Sequence, residues 1–142
     1  MSFLLDTNVV SELAKRDLSP NVAQFIQAKP QSEFFISVIT FAEIRCGVAL
    51  LPDGKRRDAL ETWLGADLPQ RFDGRIIEVA HDIALAWGDL MAWSRRNGAN
   101  LEPMDGLIAA TSRMRDLTLV TRNIRDFDRL GLRLLDPWIE QP

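Results

Sequence analysis

The chain has 142 residues, 46% of them hydrophobic, with one cysteine, one histidine and a formal charge of −3. A single cysteine excludes an internal disulfide framework and a cysteine-built zinc site, and a single histidine, His81, gives no basis for a histidine metal cluster or a Ser-His-Asp triad. The acidic balance argues against nucleic-acid binding by bulk electrostatics, but leaves room for local arginines, which outnumber lysines here and suit bidentate phosphate contact. The length points to one domain over residues 1–142. There is no charged-then-apolar leader and no apolar run near about 18 residues, so the expectation is no membrane segment. Cysteine usage suggests a reduced, cytoplasmic chain with Cys46 as a small buried hydrophobe.

Phe3-Leu4-Leu5 is too short for a helix and suits a strand buried on both faces, as in a parallel sheet. Asp6 then falls at its C-terminal end, where open α/β sheets bind ligands; the alternative is that Asp6 or Asn8 only caps the next helix. Asn8 to Lys15 reads as that helix, and Ser19-Pro20 starts another with Val22, Phe25 and Ile26 on one stripe. Phe34-Phe35-Ile36 is a second strand, and Ser37 caps a helix from about Val38 to Leu50 that is apolar almost all round. Such a helix is buried in its own domain or at a subunit contact. Glu43 within it needs a metal or an arginine partner.

Pro52-Asp53-Gly54 is a turn, Lys55 to Leu68 a helix, and Pro69 to Gly74 a connection. Lys55, Arg56 and Arg57 put positive charge at the end the helix dipole disfavours: a solvated face, or a hint of an external partner. Arg75 to Val79 fits a short strand, and Ala80 to Asn97 a strongly amphipathic helix ended by Asn97-Gly98. His81, in its first turn, reads as structural or surface. Glu102-Pro103 opens a helix with Asp105 in its first turn, where an acid also complements the dipole. Thr118-Leu119-Val120 is a strand ended by Thr121-Arg122-Asn123; a brief helix from Asp126 to Leu130 and a strand from Leu132 to Leu135 follow, and Pro137-Trp138 anchors the tail. This alternation predicts an α/β fold, with a mainly parallel sheet of about four to five short strands flanked by helices.

Asp6, Glu43 and Asp105 stand out by position, and a shared sheet edge would gather them. Converging carboxylates repel unless a hard cation sits among them, and Mg²⁺ or Mn²⁺ favours such oxygens. These ions polarise phosphodiesters and generate hydroxide at neutral pH, with no need of cysteine or histidine.

The motifs Leu5-Asp6-Thr7-Asn8, Ser37-x-x-Thr40-x-x-Glu43-x-Arg45-x-Gly47, Asp105-x-x-Ile108-Ala109-Ala110-Thr111 and Val120-Thr121-Arg122-Asn123-x-x-Asp126-Phe127 follow in that order, and Asp136-Pro137-Trp138 closes the chain. Together they resemble the PIN-domain family, and within it the VapC-type toxins with their FitB-like relatives. The resemblance implies a PIN-like fold and a Mg²⁺- or Mn²⁺-dependent endoribonuclease, the toxin of a type II toxin–antitoxin pair. It implies metal-binding catalytic roles for Asp6, Glu43 and Asp105, and a fourth position filled by Asp126 or Asn123, with Asp126 favoured for its charge. Thr7, Asn8 and Thr121 would orient the carboxylates. The implied partners are an RNA substrate, a second copy in a homodimer, and a VapB-type antitoxin. That antitoxin would lie on exposed apolar helices, here those around Glu43 and Trp63, and offer an arginine to the acidic cleft. The alternative is a catalytically weak PIN protein that serves as antitoxin partner in a DNA-binding regulatory complex; the intact acidic set argues against it. A haloacid-dehalogenase-type phosphatase would need an acid where Asn8 stands, and a receiver domain a late lysine where none follows Lys55.

Overall fold

Backbone pairing and side-chain alternation account for the architecture. The computed structural model describes residues 1–139. Its strands are β1 (Phe3–Leu5), β2 (Phe34–Ser37), β3 (Ile76–Ile77), β4 (Thr118–Val120) and β5 (Leu134–Leu135), and every pairing is parallel. They lie in the order β3-β2-β1-β4-β5, with β1 in the centre. The helices are α1 (Thr7–Leu13), α2 (Pro20–Gln27), α3 (Val38–Ala49), α4 (Lys55–Thr62), α5 (Leu68–Arg71), α6 (His81–Asn97) and α7 (Pro103–Met114).

Successive side chains of a strand point to opposite faces. Phe3 and Leu5 of β1 therefore join Phe34, Ile36 and Val120 under α1, α2 and α3, where Val9, Val22, Phe25 and Ile44 meet them. Leu4, between them, joins Leu119, Ile83, Leu90 and Ile108 under α6 and α7 on the other face. The apolar run Phe3-Leu4-Leu5 thus serves two cores at once, which is why it reads as continuous rather than alternating. Phe3 also packs edge-on to Phe25 at 5.4 Å between ring centroids. Trp138 packs against the first core, and its carbonyl accepts a bond from Asn21 Nδ2 at 2.6 Å, so the tail is anchored as expected.

The fold departs from expectation where one buried stripe, not overall composition, decides burial. On α3 the buried row is Thr40, Ile44 and Val48. Cys46 lies two residues from Ile44, roughly 200° around the helix, and is exposed rather than buried. The expected helix from Lys55 to Leu68 is interrupted by a π turn at Trp63–Asp67 and resumes as α5 to Arg71. Pro69, which has no N–H to offer the carbonyl four residues back, is accommodated just after that turn. No α-helix forms from Asp126 to Leu130: Ile124–Asp126 is a 3₁₀ turn, and N–H groups of Phe127 and Leu130 donate to carbonyls three residues back, which buries both side chains. Among the described residues no helix is long and apolar enough to cross a membrane.

Helices α6 and α7 pack closely at Gly106 of α7. A Cβ there would meet Met91 Sδ at 2.9 Å and Trp87 Nε1 at 3.0 Å. Met91 has flexible torsions, but Trp87 is held by its bond to the Pro103 carbonyl at 2.9 Å. In an unobstructed helix, glycine to alanine is worth about 0.5–1 kcal/mol of added stability. Here we expect Gly106→Ala to cost about 1–3 kcal/mol instead, because overpacking outweighs propensity. Urea denaturation checks this; a gain in stability would show that the α6–α7 contact yields freely.

Candidate metal-binding active site

The strand order reverses between β1 and β4, since β2 and β3 lie on one side of β1 and β4 and β5 on the other. A crevice at such a switch point, outside the strand C-termini, is the usual ligand site of an open α/β sheet. Asp6 and Thr121 sit there. Asp6 N donates to the Val120 carbonyl at 2.9 Å and Thr121 N to the Leu135 carbonyl at 2.9 Å, so both residues continue the sheet pairing to its edge. Thr121 Oγ1 donates to Asp6 Oδ2 at 2.8 Å, and Thr7 N donates to Asp6 Oδ1 at 2.8 Å. Asp6 therefore caps α1 and belongs to the crevice at the same time.

Asn8 ties in the same loop: its Nδ2 donates to Thr121 Oγ1 at 3.3 Å and its Oδ1 accepts from Arg122 N at 3.2 Å. Asn123 enters this network through its backbone, whose N–H donates to Thr121 Oγ1 at 3.0 Å; its side chain is exposed.

Glu43 is brought in by packing of α3 on α1. Thr7 Oγ1 donates to Glu43 Oε1 at 2.6 Å, and Thr40 Oγ1 lies 3.1 Å from Thr7 Oγ1. A hydroxyl has one hydrogen, so with Thr7 committed to Glu43, Thr40 donates to Thr7. Among the described residues Glu43 has no arginine partner, the alternative the sequence left open: Arg45 faces Glu61 at 3.5 Å instead. Thr40 is the residue sequence reasoning missed. It is fully buried and polar, one helical turn before Glu43, and that spacing was the available signal.

Asp105 is placed by the start of α7. Glu102 caps that helix and accepts from Asp105 N at 3.0 Å. Asp105 and Asp126 line one pocket together with Glu102, Arg125 and Arg129.

The carboxylates act on one another. Burial foremost, then the charges of Glu43 and Asp126, raise the Asp6 carboxyl above its usual range, against the bonds from Thr121 and Thr7. Asp105 is pushed up to about 7, first by burial and then by Asp6, Glu102, Asp126 and Glu43. Among the described residues none of Asp6, Glu43, Asp105 or Asp126 has an ion-pair partner. Nor do three acids there close into a ready-made ligand cluster. The donor set is nevertheless all hard oxygen, and among the described residues its negative charge is matched by no ion pair. That chemistry fits Mg²⁺ or Mn²⁺ and suits neither a thiolate-seeking nor an imidazole-seeking metal.

Comparison with known proteins gives a consistent result. The PIN domain family matches residues 3–132. VapC ribonuclease Y4jK of Sinorhizobium fredii is 35% identical over 95% of this chain and 96% of its own length. Toxin FitB of Neisseria gonorrhoeae is 32% identical over 95% of this chain and 97% of its own. The crystal structure of FitAcB from that organism superposes with a TM-score of 0.87 at 32% identity, covering 96% of this chain and 98% of that one. DNA-bound VapBC from Salmonella typhimurium gives 0.78 at 26% identity, covering 98% and 99%.

The electrostatics carry a pH signature. A carboxyl whose folded pKa exceeds its unfolded value stabilises the fold only while protonated. For Asp105 that contribution is complete below about 3.8 and is lost as pH rises through about 7. In chelator, the melting temperature should therefore fall across this window, and Asp105→Asn should flatten the fall. Thermal melts from pH 4 to 8 check it, and parallel curves for both proteins would contradict the crowding of the acids.

Proposed function

The chain belongs to the PIN-domain family, and from that premise we propose that it is a Mg²⁺- or Mn²⁺-dependent endoribonuclease, one PIN domain over residues 1–142 acting in the cytoplasm as the toxin of a type II toxin–antitoxin pair. The observation that carries the reading is the gathering of Asp6, Glu43, Asp105 and Asp126, drawn from distant parts of the chain, to where each raises the pKa of Asp105 or is Asp105 itself, with none of them in an ion pair among the described residues. The names of the VapC ribonuclease and the FitB toxin support the activity and the toxin role.

In this reading Asp6, Glu43, Asp105 and Asp126 hold the metal, with Asn123 at the rim. When bound, the ion supplies Lewis-acid polarisation of a phosphodiester and lowers the pKa of water towards neutrality. The protein's own contribution is preorganisation. Thr121 and the Thr7 N–H fix both oxygens of Asp6, and the Thr40–Thr7 relay fixes one oxygen of Glu43, leaving its other oxygen without a hydrogen bond among the described residues. Asn8 binds the β4 loop to α1, so that Thr121 cannot turn away from Asp6. Hydrolysis adds one water across the phosphodiester, leaving the phosphate on one fragment and a hydroxyl on the other.

The partners follow from exposed apolar surface. Ala42, Cys46 and Ala49 of α3 and Leu50 at its C-cap face outward, with Leu50 81% exposed. An almost wholly apolar helix with one side in water is incomplete without a covering chain. We assign that cover, together with the neighbourhood of Trp63, to a VapB-type antitoxin and to a second copy in a homodimer, as the VapBC assembly of the Salmonella relative supports.

Cleavage of total cellular RNA by antitoxin-free protein tests the reading. We expect bands with Mg²⁺ or Mn²⁺ that vanish in EDTA and in Asp6→Asn. Thr121→Val, which leaves every proposed ligand in place, should lower the rate about 10–100-fold by releasing Asp6. Equal cutting by wild type and Asp6→Asn would overturn the assignment.

A further inference from the structure

Two concavities open from the acid cluster, and both are rimmed by cations. One is a groove of about 850 Å³ between α1, α3 and α4, which shares Thr7 and Glu43 with the site. Its rim carries Lys15, Arg16, Lys55 and Arg56, and its floor includes Ile44, Val48 and the Trp63 indole. The other, of about 240 Å³, shares Asp105 and Asp126 with the site and carries Arg125 and Arg129.

Most of these charges have no carboxylate partner within the fold, although the Arg129 guanidinium also lies over the Trp93 ring, 5.4 Å from its centroid. Of the basic start of α4, Arg57 alone is structural: it bonds Glu61 at 2.9 Å, Asp53 at 3.3 Å and the Leu51 carbonyl at 3.2 Å. Lys55 and Arg56 beside it, like Arg16, Arg125 and Arg129, have no carboxylate partner among the described residues. Lys15 is paired with Glu12 at 2.9 Å. Lys55 and Arg56 sit at the helix end where the dipole disfavours cations, so their place is not explained by helix stability. In a chain of net charge −3, cations without a carboxylate partner among the described residues thus flank the acids on both sides.

A polymer held with one phosphate at the acids must leave the cleft in two directions. We propose that a single strand of RNA crosses the acid cluster, with phosphates on Arg16, Lys55 and Arg56 in the groove at one side and on Arg125 and Arg129 at the other. This rests on the nuclease reading above. The apolar floor with its indole suits unpaired bases, which stack on aromatic rings, rather than the wall of a duplex. The flanking cations also offset the repulsion between the phosphates and the acids. The antitoxin assigned above to the neighbourhood of Trp63 would compete with RNA for this groove, but it gives no reason for cations on the far side of the acids.

The probe is a fluorescein-labelled single-stranded uridine oligonucleotide, with Ca²⁺ in place of Mg²⁺ to prevent cutting. Each phosphate contact on a single strand contributes about 0.7 to the slope of log affinity against log salt. The triple variant Arg16→Ala, Lys55→Ala, Arg56→Ala should bind at least tenfold more weakly, with a slope shallower by about 2. Arg125→Ala with Arg129→Ala should lose about 1.4. Arg95→Ala with Arg96→Ala, exposed on α6 and away from both concavities, should change neither. All substituted side chains are exposed, and matched thermal melts confirm folding. Wild-type affinity and slope in the triple variant overturn the path, as does failure of the wild type to bind. So does a triple variant that keeps wild-type RNA affinity while losing the cognate antitoxin, which would leave the groove to the antitoxin alone. Cutting of cellular RNA by the same wild-type preparation separates the two claims: cutting with an unchanged slope in the variant sinks only the path, and no cutting sinks the nuclease reading.

Discussion

The hydrogen bond from Thr121 to Asp6 joins the ends of two adjacent parallel strands, and much of the site depends on it. Both residues lie where β1 and β4 part at the C-terminal edge of the sheet, and both are buried. A buried carboxylate is tolerated only with donors around it. Thr121 and the Thr7 N–H provide two, and Asn8 adds a third, weaker one at 3.4 Å. The strand pairing that fixes Thr121 is thus also what fixes the acid. Phe3 and Leu5 bind the same strand to one core and Leu4 to the other, so Asp6 stands on one of the most constrained stretches of backbone in the fold.

Around that fixed acid, the structure gathers negative charge instead of dispersing it. Glu43 comes from a helix packed on α1, Asp105 from the first turn of α7, and Asp126 from the loop after β4. Elsewhere the fold pairs its half-buried charges: Asp82 with Arg115, Glu61 with Arg57, and Glu12 with Lys15. The contrast is physical. Those charges are neutralised within the chain, whereas the acids of the crevice are left to raise the pKa of Asp6 and Asp105. A fold accepts that cost where a ligand of opposite charge completes the arrangement.

Much of this was legible in the sequence because it depends on local rules. An apolar run ending in an acid, serine before a helix, proline at a first helical position and glycine at a helix end are signals within a few residues, and β1, α3, α7 and Gly98 follow them. The grouping of the acids was legible as well, from the alternation of strands and helices. What the sequence hid depends on contacts between elements. Thr40 looks like a minor exception in an apolar helix until α1 brings Thr7 against it. Cys46 looks buried by composition, yet one buried row on α3 leaves it in water. Arg57 differs from Lys55 and Arg56 only in having Asp53 and Glu61 one turn away on either side. For the fourth position the sequence favoured Asp126 over Asn123 on charge alone; in the fold Asn123 bonds through its backbone, while the charge of Asp126 reaches both Asp6 and Asp105.

The central claim is that these acids form one cation site held by Asp6. Titration of the metal-free protein with Mn²⁺, followed by calorimetry at neutral pH, addresses it without any RNA. The account predicts saturable binding by the wild type that disappears in Asp6→Asn while the variant keeps its fold. Absence of saturable binding, or binding unchanged by Asp6→Asn, would contradict it.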